Sequence, residues 1–283
     1  MIAAILRRLR TSDAATFLAK FDGEPAIFYQ KSPADVDFHG ENYPQVVFTV
    51  DKFSDAIRGV SGLLTVDIIC SQDSTTPEII ERPLRESLEG VFFAPVDGEI
   101  FLLKWQRTDV FQEPSSERTP LIIGATVTFE IYEFPSAQTC DPDPIQKLNL
   151  WASTWDTNAV TIGLSDFGET FKPSRTRPAI YFDAQRIRLS SQTAAAVFLT
   201  ITVNAHIFAD SISARREWLS ALNLAILRRS TFLLEDSSPM RLTASELNFE
   251  ATEIQGQLQL TFEFAAQKFI PYTHPLTKIS IGG

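Results

Sequence analysis

The sequence predicts an α+β fold: two tandem related domains, each a mixed or antiparallel β-sheet with helices packed on one face. Three observations carry this. Blocks of sequence recur in the same order at nearly constant spacing. Tyr43-Pro44-Gln45-Val46-Val47-Phe48 returns as Arg177-Pro178-Ala179-Ile180-Tyr181-Phe182, Leu64-Thr65-Val66-Asp67 as Ile201-Thr202-Val203-Asn204, and Thr128-Phe129-Glu130-Ile131 as Thr261-Phe262-Glu263-Phe264. The chain has 283 residues, 44% of them hydrophobic, which is enough for two cores of ordinary domain size. Each half also places one helical segment between strand segments, and a sheet covered on one face accommodates that order.

The first domain is expected over residues 1–136 and opens on a helix. Ile2, Ile5, Leu6 and Leu9 share one face, with Arg7, Arg8 and Arg10 mostly off it, and the helix is expected to reach Leu18-Ala19. Ala26 to Tyr29 and Val46 to Val50 read as strands, and Leu63 to Cys70, rich in β-branched residues, as another. Thr76 fits an N-cap, Pro77 the first helical position and Gly90 the stop; Pro83 predicts a kink or a later start. Strands then follow over Glu99 to Gln106 and Thr119 to Tyr132.

Residues 137–147 are expected to form a Pro-rich linker, because the run Asp141-Pro142-Asp143-Pro144 opposes both helix and sheet. The second domain, 148–283, repeats the order of the first but is expected to lack its opening helix, with Trp151 and Trp155 in that place. Ile180 to Phe182 and Val197 to Ile207 are strands. Ser211 or Ser213 caps a helix near Ala214 to Arg229, with Trp218, Leu219, Leu222 and Ile226 on its apolar stripe. Met240 to Phe249 and Gln257 to Ala265 close the sheet.

A net charge of −10 and a pI near 4.9 oppose a dedicated nucleic-acid or anionic-lipid binder. They do not oppose a surface that DNA slides past without sticking. No apolar run approaches the roughly 20 residues of a membrane helix, and the first ten residues lack the order of a signal peptide. Two cysteines form no disulfide framework, and folding in a cytoplasm is the expectation.

The residues offer little chemistry. No Gly-rich phosphate loop occurs. His206 alternates with apolar residues and reads as a half-buried structural histidine. Asp35, Asp37 and Glu41 surround His39 without the spacing of a calcium loop. Cys70 ends an apolar strand, and Cys140 lacks an activating neighbour. Arg7-Arg8-Leu9-Arg10 and Arg228-Arg229 lie near helix ends, where cations meet exposed carbonyls. No catalytic residue, metal or cofactor is assigned.

Pro25-Ala26-Ile27-Phe28-Tyr29-Gln30-Lys31-Ser32-Pro33, Tyr43 to Val50, Leu64 to Cys70 and Thr128 to Pro135 resemble the tail-terminator and tail-completion proteins of long-tailed bacteriophages. Asp141 to Trp151 and Lys172 to Tyr181 are similar to larger prophage proteins of that kind from Gram-positive hosts. The resemblance implies a non-enzymatic virion protein at the head–tail junction. Such a protein assembles with itself as a ring, caps the tail-tube protein, halts tube growth and offers the docking surface for a head-completion or connector protein. DNA passes through the lumen. The family expectation is six subunits; the alternative for a duplicated chain is a ring of three that makes a pseudo-hexamer. Closed rings use heterologous contacts, which two similar domains can supply.

The residues expected at contacts between neighbours are Ile2, Leu6 and Leu9 of the opening helix, Asp35, Asp37 and Glu41 of the loop from Lys31 to Asn42, and Ser115 and Glu117. The last two sit at the tip of the region 101–121, the candidate long hairpin of the first domain. A tail-tube or distal-tail ring component is the alternative, since tube proteins need such a hairpin. A metal-dependent hydrolase around Asp37 and His39, and a host-surface binding module using Trp151 and Trp155, are the other classes. Deletion of residues 1–10 is expected to impair ring formation, measured by mass photometry.

Overall fold

The computed structural model describes residues 1–32, 43–53, 59–114, 121–135 and 139–268. They form two compact units, one of residues 1–136 and 165–173, the other of 137–164 and 174–283. The contiguous division expected from the sequence therefore changes: a short segment inside the second half belongs to the first unit.

Unit 1 begins with helix α1 (Ile2–Arg10) and a 3-10 turn (Asp13–Phe17). The helix stops short of the expected Leu18. The Thr11 and Ser12 hydroxyls bond back to the Arg7 and Leu9 carbonyls at 3.1 and 2.7 Å, and such local bonds compete with helix propagation. A two-strand ribbon, β1 (Lys20–Phe21) and β2 (Glu24–Pro25), follows. Then come β3 (Ile27–Tyr29), β4 (Gln45–Lys52), β5 (Gly62–Ser71), α2 (Pro77–Leu88), β6 (Phe92–Phe93), β7 (Ile100–Glu113) and β8 (Ile122–Phe134). Helix α2 runs through Pro83 without interruption, Pro77 occupies its first turn, and Gly90 beyond it takes φ +69°. The carbonyl left without a helical partner by Pro83 is that of Ile79, an exposed residue, so water can meet it.

Unit 2 opens on α3 (Pro144–Trp155), where the sequence reading placed a linker and no helix. The Asp143 carboxylate accepts the Ile145 N–H at 2.9 Å and the Thr139 hydroxyl at 2.7 Å. Asp143 is thus an N-cap and Pro144 sits at N1, the one helical position that favours proline. Next are β9 (Val160–Thr161), β10 (Thr170–Phe171, which joins unit 1), β11 (Ala179–Gln192), β12 (Ala196–Phe208), α4 (Ile212–Arg229), β13 (Thr231–Leu233), β14 (Pro239–Leu247) and β15 (Leu258–Gln267). Ser211 caps α4, its hydroxyl accepting the Ala214 N–H at 3.2 Å.

Among the described residues the strand order is β10-β6-β7-β8-β5-β4-β3 in unit 1 and β13-β14-β15-β12-β11-β9 in unit 2. Apart from the added β10, the two orders correspond strand for strand. Each has one parallel pair at its edge, β3 with β4 and β9 with β11, and antiparallel pairs elsewhere. The recurrent blocks take corresponding places: Thr65 pairs Thr128 and Leu64 pairs Phe129 in unit 1, while Thr202 pairs Thr261 and Ile201 pairs Phe262 in unit 2.

One face of each sheet is covered. Leu64, Val66, Ile68 and Cys70 of β5 are fully buried, whereas Leu63, Thr65, Asp67 and Ile69 are half-buried. Ile201, Val203, Ala205 and Ile207 of β12 are buried in the same alternation. The cover in unit 1 is α1 and α2 through Ile5, Leu9, Ile80, Leu84 and Leu88. In unit 2 it is α3 and α4 through Ile145, Leu148, Leu219, Leu222 and Ile226. Phe129→Ala is expected to destabilise unit 1, and Phe262→Ala unit 2, by about 3–5 kcal/mol each. Urea denaturation checks this, with Trp105 reporting on unit 1 and Trp151, Trp155 and Trp218 on unit 2.

Candidate functional site

Helix α1, expected at contacts between chains, is largely spent within its own unit. Leu9 is 1% exposed in the core and Leu6 packs against that core, while Ile2 is 38% exposed. Leu9 and much of Leu6, expected at contacts between neighbours, are taken up inside the unit: the face bearing Ile5 and Leu9 turns inward because α2 and the sheet supply its apolar partner. The basic residues are also engaged. Arg7 pairs with Glu169, and Arg8 Nε donates to the Ser87 carbonyl at 3.0 Å. Beside them lies a shallow cleft of about 410 Å³ lined by Ala3, Ala4, Arg7, Val96 and Glu169 among others. Asp35, Asp37, Glu41, Ser115 and Glu117, like His39 and His274, lie outside the described residues.

His206 is buried on β12. Its Nδ1 lies 2.8 Å from the Glu253 carbonyl, which can only accept, so Nδ1 carries the proton and the buried Nε2 has no hydrogen-bond partner among the described residues. Burial pulls the imidazole pKa down to about 4, against a smaller opposite effect of the Asp183 carboxylate. The loop that holds Glu253 is tied to α4 and β12 by further bonds. Arg215 pairs with the Glu253 side chain, and the Gln257 amide accepts the Ile207 N–H at 2.9 Å and donates to the Ile207 carbonyl at 3.3 Å. This network joins a loop to a strand, with the histidine kept neutral in a structural place.

The other reactive groups are similarly engaged. Burial raises the Cys70 thiol to about 11 and also raises Cys140, so both resist thiolate formation. Glu89 is raised by burial although its carboxylate takes the Trp105 N–H. Among the described residues no group of three or more His, Cys, Asp or Glu is placed to hold a metal ion, and no helix is long and apolar enough to cross a membrane.

The three tryptophans of unit 2 pack together, while Trp105 of unit 1 is 39% exposed. Trp151 stacks on Trp155 at 5.8 Å and meets Phe232 edge-on at 5.3 Å; Trp155 meets Trp218 edge-on at 6.0 Å. Trp218 Nε1 donates to the Arg175 carbonyl at 2.8 Å. An aromatic surface for a host receptor finds no support in this cluster.

What each unit does display is a long hairpin. In unit 1, β7 and β8 pair from Ile100–Phe134 out to Glu113–Ile122. In unit 2, β11 and β12 pair from Ala179–Phe208 out to Gln192–Val197, with bulges between Ala184 and Arg186 and between Leu189 and Ser191. The candidate hairpin region 101–121 overlaps the first of these along β7, and its tip lies outside the described residues. The sequence reading missed the length of the second, because residues 183–192 alternate too weakly to read as a strand. Pairing to β12, not composition, makes them one.

Comparison of the chain with family models, with curated proteins and with solved structures gave no match.

His206 gives a pH dependence of defined sign. Its folded pKa lies below the ordinary value near 6.5, so its contribution is intact above that value and is lost as pH falls toward 4. The loss is expected to reach about 3 kcal/mol, since each pKa unit is worth about 1.4 kcal/mol. His206→Asn, which keeps a donor for Glu253, should flatten the dependence of the urea midpoint between pH 6.5 and 4.

Proposed function

We propose that this chain is a structural virion protein of a long-tailed bacteriophage, a tail terminator that forms a ring at the head–tail junction. The observation that carries the reading is the correspondence of the two units. They share strand order, register of the central pair and helical cover on one face. Tandem duplication of one module accounts for that correspondence and for the recurrent sequence blocks. Two similar modules in one chain serve ring building well, since each ring contact joins two different surfaces. The resemblance of the sequence to tail terminators supplies the particular role, in which the ring caps the tail tube and receives the head connector.

The net charge of −10 supports a lumen along which DNA moves without being held, because an acidic surface gains no counterion release from phosphates. A particle reconstruction should place the chain at the top of the tail tube, and density elsewhere in the virion would overturn the role. The assembled protein should show no retention of duplex DNA at physiological salt in a filter-binding assay.

The two long hairpins favour one second reading, a tail-tube or distal-tail component, because a continuous inner barrel is built from such hairpins. The purified chain separates the two readings. A terminator gives discrete rings of six chains, or of three in a pseudo-hexamer, whereas a tube component gives open-ended stacks under the electron microscope.

A further inference from the structure

Both hairpins present an outer edge with no backbone partner among the described residues. On β11, β9 pairs only with Ala179 and Ile180, and the Ile162 N–H reaches the Ile180 carbonyl. From Phe182 to Gln192 the outer edge then runs free. On β7, β6 pairs with Phe101 and Leu102, the Gly90 N–H reaches the Leu103 carbonyl, and Glu89 takes the Trp105 N–H. From Gln106 to Glu113 that edge runs free as well. Neither stretch contains proline.

We propose that the free edge of β11 in one copy of the chain pairs with the free edge of β7 in the next copy, extending the sheets from chain to chain. The proposal deepens the ring reading and rests on it. A row of unpaired N–H and C=O groups is a template for strand addition. Edges are commonly guarded by charge, and here Arg186 and Arg188 are the guards, but they flank exposed apolar residues: Ile187 is 38% and Leu189 60% exposed. On β7, Val110 is 76% exposed and offers the matching apolar contact.

Charge selects the partner. Two β11 edges would set Arg186 and Arg188 against themselves, and like charges across a strand pair are destabilising. On β7, Arg107 is matched internally by Asp109 at 2.9 Å, which leaves Glu113, near the end of the strand, as the charge without an ion pair among the described residues. A β11–β7 contact joins the arginines to this carboxylate. It is heterologous, so every copy uses β7 toward one neighbour and β11 toward the other, as a closed ring requires.

The test uses the full chain and mass photometry across a dilution series, with circular dichroism and the thermal midpoint as folding controls. Arg186→Glu with Arg188→Glu is expected to weaken assembly roughly tenfold or more with an unchanged midpoint. Adding Glu113→Arg to that chain should restore assembly. If the doubly reversed chain misfolds, Glu113→Arg alone reads the same contact from the other side, since it places like charges across the pair and should weaken assembly. Rings that survive charge reversal overturn the edge pairing and leave the ring reading standing. Sensitive assemblies that grow as open fibres keep the edge pairing and overturn the ring. A wild-type chain that stays monomeric at tens of micromolar overturns both.

Discussion

Burial of one face of the central strand pair is the constraint on which each unit depends. In unit 1 the pair is β5 with β8, and in unit 2 it is β12 with β15. Side chains alternate along a strand, so a slip of one residue would send Leu64, Val66 and Ile68, or Ile201, Val203 and Ala205, from the helix-covered face to the other. The helices then have little freedom. Leu84 and Leu88 of α2, and Leu222 and Ile226 of α4, must lie over those rows. Beyond the short edge strands β6 and β9, β7 and β11 continue along β8 and β12, and their outer edges are open among the described residues.

The polar groups inside the units are committed to holding segments together. Gln257 completes the bonding of Ile207 beyond the reach of β15, and His206 and Arg215 fasten the loop at Glu253 to β12 and α4. In unit 1, Glu81 accepts from Arg85 and from the Thr108 hydroxyl, and Arg85 lies over the Trp105 ring at 4.8 Å, which ties α2 to the start of the β7 arm. In unit 1 these bonds fasten β7 beside its open edge, and an edge held in place lowers the ordering cost of association.

The fold class was legible in the sequence because it rests on local pattern. The alternation from Leu63 to Cys70, the apolar stripe of α4 and the Pro77 start of α2 each report an element without reference to distant residues. The recurrent blocks went further, since Thr65 and Thr128 stand opposite each other as Thr202 and Thr261 do. The errors fell where local signals compete. Proline at 144 signals a break in isolation and a helix start once Asp143 caps it, and proline at 83 is tolerated because the orphaned Ile79 carbonyl lies on an exposed turn.

The candidate surface was less legible. An amphipathic stripe such as that of α1 says which residues seek apolar contact but not whose, and the structure gives Leu9 to its own core. Likewise the residues from Asp183 to Gln192 have no strand signature of their own and become β11 by pairing with β12. The sequence by itself determined the fold class and the order of most elements, because periodicity and capping act over a few residues. Only the tertiary structure decided which apolar faces were satisfied and which strand edges were left open. Both depend on what lies alongside, and in this chain that neighbour is distant in sequence or, at the free edges, is proposed to be another copy.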